Sequence, residues 1–295
     1  MGNVDTIGFI GLGVMGEPIC RNMTGAELGP MVVFDLAAEP VARLEADGTR
    51  AAASVAEVAK AANIIFLSLP GGVEVEKIIL GPDGLLEHGR KGQIIVDMST
   101  CPVAIARKAA AALQEKGMIF ADAPVARTRQ AAIDGTLSIM VGSDEETFET
   151  LRPYLAAAAT DITHCGGVGT GQVLKLLNNM LLIQSVVALG EALTIGERAG
   201  VDRALLVETL SKGSADSFAL RNHVKKAMLP REFPVGAFGT DYATKDITYA
   251  LELATDARVK SPAGELAKEM LEKTSAAGYG AEYFPVLLKL IEGER

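Results

Sequence analysis

The sequence predicts an α/β chain, with a mostly parallel, doubly wound sheet first and an all-helical part after it. Three observations predict this. Through the first half, short apolar runs alternate with alanine-rich helical stretches, the pattern of a parallel sheet covered on both faces. A glycine-rich turn directly follows the first apolar run. Beyond about Cys165 no strand-like run recurs, and a long stretch with few helix breakers begins.

The elements follow in order. Residues 6–10 read as a buried strand, and 31–35, 64–69, 93–97, 118–121 and 137–141 repeat the character. Their Ile, Val, Phe and Met content suits strands buried on both faces. Helices are expected over 37–46 and 104–116. Residues 172–200 read as one long helix whose apolar positions cover much of its circumference, so several sides should be buried. Further helices are expected over 202–211, 217–228, 241–256 and 262–277. The domains are therefore 1–165, holding the sheet, and 166–295, all-helical. There is no low-complexity linker and no repeat of solenoid period, so the long helix itself joins the lobes.

Composition narrows the function classes. The chain has 295 residues, 28 Lys+Arg and 37 Asp+Glu, and hence a net charge of −9. Apolar residues make up 49% and charged ones 22%, which fits a folded globular chain. An acidic chain is a poor ligand for nucleic acid or anionic membrane. Cys20, Cys101 and Cys165 are unclustered, which signals neither disulfide framework nor zinc site. His88, His164 and His223 lack metal-ligand spacing, and no metal is expected. Met1-Gly2-Asn3-Val4-Asp5-Thr6 fits a loose myristoylation pattern, but a strand starting at Thr6 leaves little tether. No uninterrupted apolar run approaches the ~20 residues of a membrane span. A reducing cytoplasm is the expected compartment, with no membrane or nucleic-acid partner.

The chemistry begins at Gly11-Leu12-Gly13-Val14-Met15-Gly16, a GxGxxG between the first strand and a helix. Glycines there let the backbone approach a pyrophosphate, which the helix N-terminus then receives. Asp35 ends the second strand, 19 residues after Gly16, where a carboxylate accepts bonds from an adenosine ribose and repels a 2′-phosphate. The reading is a Rossmann domain binding NAD, with NADH preferred over NADPH. Leu69-Pro70 ends the third strand and Ser99-Thr100 the fourth, both on the edge where ligands bind; Thr100 should lie beside the nicotinamide ribose. Gly167-Val168-Gly169-Thr170-Gly171 is also glycine-rich, but no second strand follows it, so it reads as a hinge.

Four separated motifs resemble the β-hydroxyacid dehydrogenase family, which includes 3-hydroxyisobutyrate dehydrogenase and tartronate semialdehyde reductase. They are the glycine turn from Gly8 to Gly16, Asp122-Ala123-Pro124-Val125, the run from Gly169 to Asn179, and Lys245-Asp246. The resemblance implies a catalytic Lys175 on the interlobe helix, a cofactor role for Lys245, and dimers or tetramers of the chain. Lys175 and Asn179 are i and i+4 on a helix and share a face, with Asn178 one step round. A lysine in an apolar stretch is partly desolvated, which lowers its pKa toward neutrality and suits proton transfer during hydride transfer. Asp241 lies one helical turn before Lys245 and could pair with it.

One departure bears on substrate. Family members usually continue Asp-Ala-Pro-Val with Ser-Gly-Gly, whereas this chain has Val125-Ala126-Arg127-Thr128-Arg129. An Arg fork suits an oxyanion. The segment resembles that of the sulfolactaldehyde reductases, with Ala126 in place of Gly, Arg129 in place of Ser, and Leu182 where those enzymes carry Ser. Val125, Ala126, Arg127, Asn178, Asn179 and Leu182 are the expected substrate residues. The expected reaction interconverts a short anionic aldehyde acid and its hydroxy acid, with sulfolactaldehyde the most specific candidate. 3-Hydroxyisobutyrate and tartronate or succinic semialdehyde are the alternatives. A non-catalytic NAD-binding regulator or an imine reductase would have no need of Lys175.

Overall fold

The computed structural model describes residues 5–293. Residues 1–4, which carry most of the myristoylation-like pattern, lie outside them. The chain forms two compact units, one running through Lys175 and the other starting at Leu176.

The first unit is a nine-stranded sheet. Strands β1 (Ile7–Ile10), β2 (Met31–Phe34), β3 (Arg50–Ala51), β4 (Ile64–Leu67), β5 (Ile94–Asp97) and β6 (Ile119–Asp122) are parallel in the order β3-β2-β1-β4-β5-β6. Beyond β6 the sheet turns mixed. β8 (Leu137–Gly142) runs antiparallel to β6 and to β7 (Val125–Ala126), and β9 (Ala159–Gly166) lies parallel to β8. Helices α1 (Gly16–Gly25), α2 (Ala38–Ala46), α3 (Val55–Ala61), α4 (Gly72–Leu80), α5 (Leu85–His88), α6 (Val103–Glu115), α7 (Arg129–Ile133) and α8 (Glu145–Ala156) flank the sheet.

Alternation along β1 builds two cores. Ile7 and Phe9 join Ile19, Met23, Phe66 and Leu151 on one face, and Phe9 stacks on Phe66 at 6.2 Å. Ile10 joins Val58, Ile65, Leu67 and Ile95 on the other. The sheet has three strands that the apolar runs do not announce. β3 and β7 have two residues each, and most of β9 is exposed or half-buried, so neither length nor hydrophobicity marks them.

Helix α9 (Thr170–Arg198) starts in the first unit and continues into the second. Among the described residues it alone has the length and mean hydropathy, 1.6, of a membrane span, although only 33% of that window is buried. Lys175, Asn178, Asn179 and Gln184 interrupt its apolar sequence. The second unit continues with α10 (Arg203–Leu210), a π-helical segment (Leu220–Met228), α11 (Thr240–Asp256) and α12 (Pro262–Thr274). Its core gathers Ile183, Val186, Leu220, Val224, Ile247, Leu271, Phe284 and Leu287. The π-helix stands inside the stretch expected as an ordinary helix. The wider turn accompanies a buried His223, whose Nδ1 meets the Tyr283 hydroxyl at 2.5 Å. Near the chain end, Arg203 and Arg231 both pair with Glu292, rimming a cavity of about 450 Å³.

Candidate active site

The cofactor edge starts where β1 ends. Gly11 has φ +93°, and a Cβ there would fall 2.3 Å from the Ser68 carbonyl oxygen. A Cβ at Gly13, by contrast, would have nothing within 4 Å. It would stand in the open space beside the first turn of α1, where a pyrophosphate needs room. No side chain caps α1, so its opening N–H groups, with Val14, Met15 and Gly16 around them, suit an anion. Asp35 follows β2, and its carboxylate accepts from Leu12 N at 2.5 Å and Ala37 N at 2.7 Å. Leu36 beside it is 95% exposed. Leu69-Pro70 follows β4 and Thr100 follows β5, and Leu69 N donates to Ser99 Oγ at 2.9 Å. The glycine clearance, the uncapped helix and the held carboxylate fit a nicotinamide dinucleotide. Asp35 would hold its ribose, and the α1 turn its phosphates.

Lys175 belongs to the same unit and lies half-buried in the second turn of α9. The start of that helix is tied to the sheet. Asp122, the last residue of β6, accepts from Gly169 N at 2.6 Å and Gln172 N at 2.8 Å. Gln172 is buried; its Oε1 accepts from Cys101 N at 3.1 Å, and its Nε2 donates to the Ser99 carbonyl at 2.7 Å. Asp97 accepts from Ser99 N at 2.9 Å. Burial pushes both Asp97 and Asp122 up to about 6, against the hydrogen bonds they receive. These bonds tie the first turns of α9 to the sheet, within the unit that runs through Lys175.

In the helical unit, Asn179 is buried and its Nδ2 donates to Asp246 Oδ2 at 2.6 Å, while Asn178 Nδ2 donates to Asn179 Oδ1 at 3.0 Å. Lys245 Nζ lies 3.1 Å from Asp246 Oδ1 and 5.1 and 5.4 Å from the ring centroids of Tyr242 and Tyr249. Asp241 accepts from Ser275 Oγ at 2.5 Å. Leu182 packs partly buried against the core.

Val125 and Ala126 form β7. Arg127 follows with φ +87° and an exposed side chain that already has partners. It donates to the Thr136 carbonyl at 2.5 Å and Thr160 Oγ1 at 3.0 Å, and it pairs with Asp161 of β9. His164 bonds the Ser143 carbonyl at 2.8 Å and stacks on Phe148, a structural role. Asp83, Glu87 and His88 meet at the surface, the described residues' one group of metal-type ligand atoms, and they already share hydrogen bonds. The sequence assigns no role to Asp97, Asp122 or Gln172, although Asp122 and Gln172 stand within two of the four motifs. A further signal was polar side chains closing apolar strands and opening an apolar helix.

A glycine-turned parallel edge with a lysine-bearing helix rooted beside it defines a nicotinamide-dependent dehydrogenase. Residues 6–167 match the family described as the NAD binding domain of 6-phosphogluconate dehydrogenase, and 169–291 that described as NAD-binding of NADP-dependent 3-hydroxyisobutyrate dehydrogenase. The chain is 37% identical to 2-(hydroxymethyl)glutarate dehydrogenase of Eubacterium barkeri, over 97% of this chain and 94% of that one. It is 34% identical to the NAD-dependent L-serine dehydrogenase of Pseudomonas aeruginosa, over 97% of each. The solved Mycobacterium tuberculosis 3-hydroxyisobutyrate dehydrogenase with L-serine superposes with a TM-score of 0.90 at 28% identity, covering 98% of this chain and 99% of that one. The chain belongs to the 3-hydroxyisobutyrate dehydrogenase-like β-hydroxyacid dehydrogenase family.

Proposed function

We propose that this enzyme oxidises the hydroxymethyl group of a short carboxylic acid to the aldehyde, and reverses the step, with Lys175 as general acid/base. The observation that carries the reading is Lys175 on a helix rooted at the carboxyl ends of β5 and β6, the same edge that bears Gly13, Asp35 and Thr100. The bound nicotinamide supplies the hydride acceptor. Lys175 Nζ takes the hydroxyl proton as the carbinol C–H bond breaks, and returns it to the alkoxide in reduction. Asn179, one turn on, and Asn178 steady the substrate, and Lys245 serves the cofactor as the family resemblance implies. Serine, 3-hydroxyisobutyrate and 2-(hydroxymethyl)glutarate, the acids named for the relatives, all carry a hydroxymethyl group next to the carboxyl-bearing carbon.

NADH is preferred over NADPH, because a 2′-phosphate would meet the Asp35 carboxylate, with the exposed, apolar Leu36 next in sequence. A reducing cytoplasm is the compartment we infer, in keeping with three thiol cysteines of which two are buried, and the working form is a homodimer or homotetramer, as the family resemblance implies. The alternative is a sulfonate-bearing aldehyde, favoured by Arg127 in the loop that follows Pro124. It requires Arg127 to exchange Asp161 for substrate. The test is NAD(H) turnover over a panel of serine, 3-hydroxyisobutyrate, 2-(hydroxymethyl)glutarate and 2,3-dihydroxypropane-1-sulfonate with their aldehydes, the last aldehyde being sulfolactaldehyde. Turnover of the 2,3-dihydroxypropane-1-sulfonate and sulfolactaldehyde pair alone would overturn the carboxylate reading, and turnover of none would overturn both.

A further inference from the structure

We propose that Asp122 is a positioning residue for Lys175: its sealed carboxylate terminates the helix that carries the lysine and sets the charge of that helix end. The proposal rests on the reading of Lys175 as the proton carrier.

Three sets of observations support it. The opening N–H groups of a helix lack intrahelical partners, and usually a neighbouring residue caps them. Here the cap comes from another strand. Asp122 is 0% exposed and takes the N–H groups of Gly169 and Gln172, at 2.6 and 2.8 Å, with that of Gly171 also turned to it. Second, the surroundings are cut to fit this carboxylate. A Cβ on Gly171 would fall 2.8 Å from Asp122 Oδ2, and one on Gly142 would fall 2.4 Å from Oδ1. Gly171 of the second glycine run thus leaves room for this carboxylate and for the Met140 carbonyl, which would lie 2.3 Å from the same Cβ. Third, Lys175 lies three residues past Gln172, about 4.5 Å along the axis. A helix N-terminus carries roughly half a positive charge, felt mainly within its first turn. A carboxylate at that end opposes it and keeps the lysine more basic than an uncapped helix would.

The charged and titratable groups around Asp122 are few. Asp97 ends the neighbouring strand and is opposite Asp122 in register. Cys101 follows it, Cys165 lies on β9 within its field, and the Arg107 side chain of α6 packs at Gly169. In Asp122→Asn one backbone N–H loses its acceptor and the helix end loses its anion.

The experiment is NMR titration of Lys175 after ¹³C-dimethylation of the full-length protein, with the resonance assigned by Lys175→Arg. It needs no substrate. In Asp122→Asn the Lys175 pKa should fall by about half a unit, from the 0.3–1 kcal/mol scale of helix-end charges. Isothermal titration with NAD should give a Kd within a few-fold of the parent. An unmoved Lys175 pKa overturns the proposal, even if Asp122→Asn is less stable. Should that variant not fold, Asp97→Asn decides. In Asp97→Asn, where Asp122 is the carboxylate left of that pair, the Lys175 resonance should keep a second inflection in the acid range, and a single inflection there overturns the proposal. Unchanged turnover in Lys175→Ala would instead refute the catalytic reading, leaving the titration result untouched.

Discussion

Replacing Lys175 with alanine should leave NAD binding within a few-fold of the parent and lower turnover by roughly 10²–10⁴, the range that positioned acid–base catalysis supplies. Titration calorimetry and steady-state kinetics on the best substrate of the panel measure both. The second prediction concerns Asp35, whose two oxygens are engaged by Leu12 N and Ala37 N. Those bonds hold the carboxylate at the turn. Asp35→Ser combined with Leu36→Arg removes the repelling charge and adds a fork for a phosphate. The ratio of kcat/KM for NADPH over NADH should rise at least roughly tenfold, or 1.4 kcal/mol. A parent enzyme that already favours NADPH would refute the assignment. Both residues are candidates that local position alone can nominate: a carboxylate at a strand end, a lysine sharing a helix face with Asn179.

The element scale was legible where elements are long and uniformly apolar. Six parallel or central strands and the long helix follow from runs of Ile, Val and Leu. β7 escaped because two residues carry no period, and β9 because Asp161, Thr163 and His164 look like loop. Asp122 and Gln172 escaped for another reason: their partners are 47–73 residues away in sequence, and no local pattern encodes such a bond. The β7–β8 hairpin yields a third prediction. Arg127 holds φ +87°, a glycine-like backbone, and braces the hairpin against Thr136, Thr160 and Asp161. Left-handed backbone costs a non-glycine residue about 1–2 kcal/mol, and an exposed ion pair returns about 0–1 kcal/mol. Arg127→Gly should therefore unfold within about 1 kcal/mol of the parent, and Arg127→Ala should be less stable than Arg127→Gly by about 1 kcal/mol. Urea unfolding gives the order; Ala above Gly would contradict the backbone argument. The same pair separates two roles. If Arg127 grips an oxyanion of the substrate, both variants lose at least roughly tenfold in kcat/KM. If it only braces the hairpin, Arg127→Gly keeps its activity.

For the molecule as a whole, the buried pair Asp97 and Asp122 and the half-buried Glu292 pull stability in opposite directions with pH. Asp97 and Asp122 have folded values of about 6 against 3.8 unfolded, raised by burial. Their contribution is fully present below about pH 4 and is lost as pH rises to about 6. Two units correspond to roughly 3 kcal/mol for each group. Asp97→Asn keeps an oxygen for Ser99 N and removes one charge, so it should stabilise the protein at pH 7–8 and do nothing for it below pH 4. Thermal melts across that range test this, and a gain that persists at low pH would refute the ionisation argument. Glu292 behaves the other way: burial works against its charge, but Arg203 and Arg231 hold it below the usual carboxylate range. Its share is present above the ordinary Glu value and fades as pH falls through the folded one. The 29-residue α9 has a further consequence, for how such a chain can change length. Each residue added to a helix turns everything beyond it by about 100°. A single insertion between Lys175 and Asn179 would swing the Asn179 amide off the lysine's face and away from the register that brings it to Asp246. Loops such as the one between α6 and β6 can grow or shrink freely, while this stretch can absorb only substitutions.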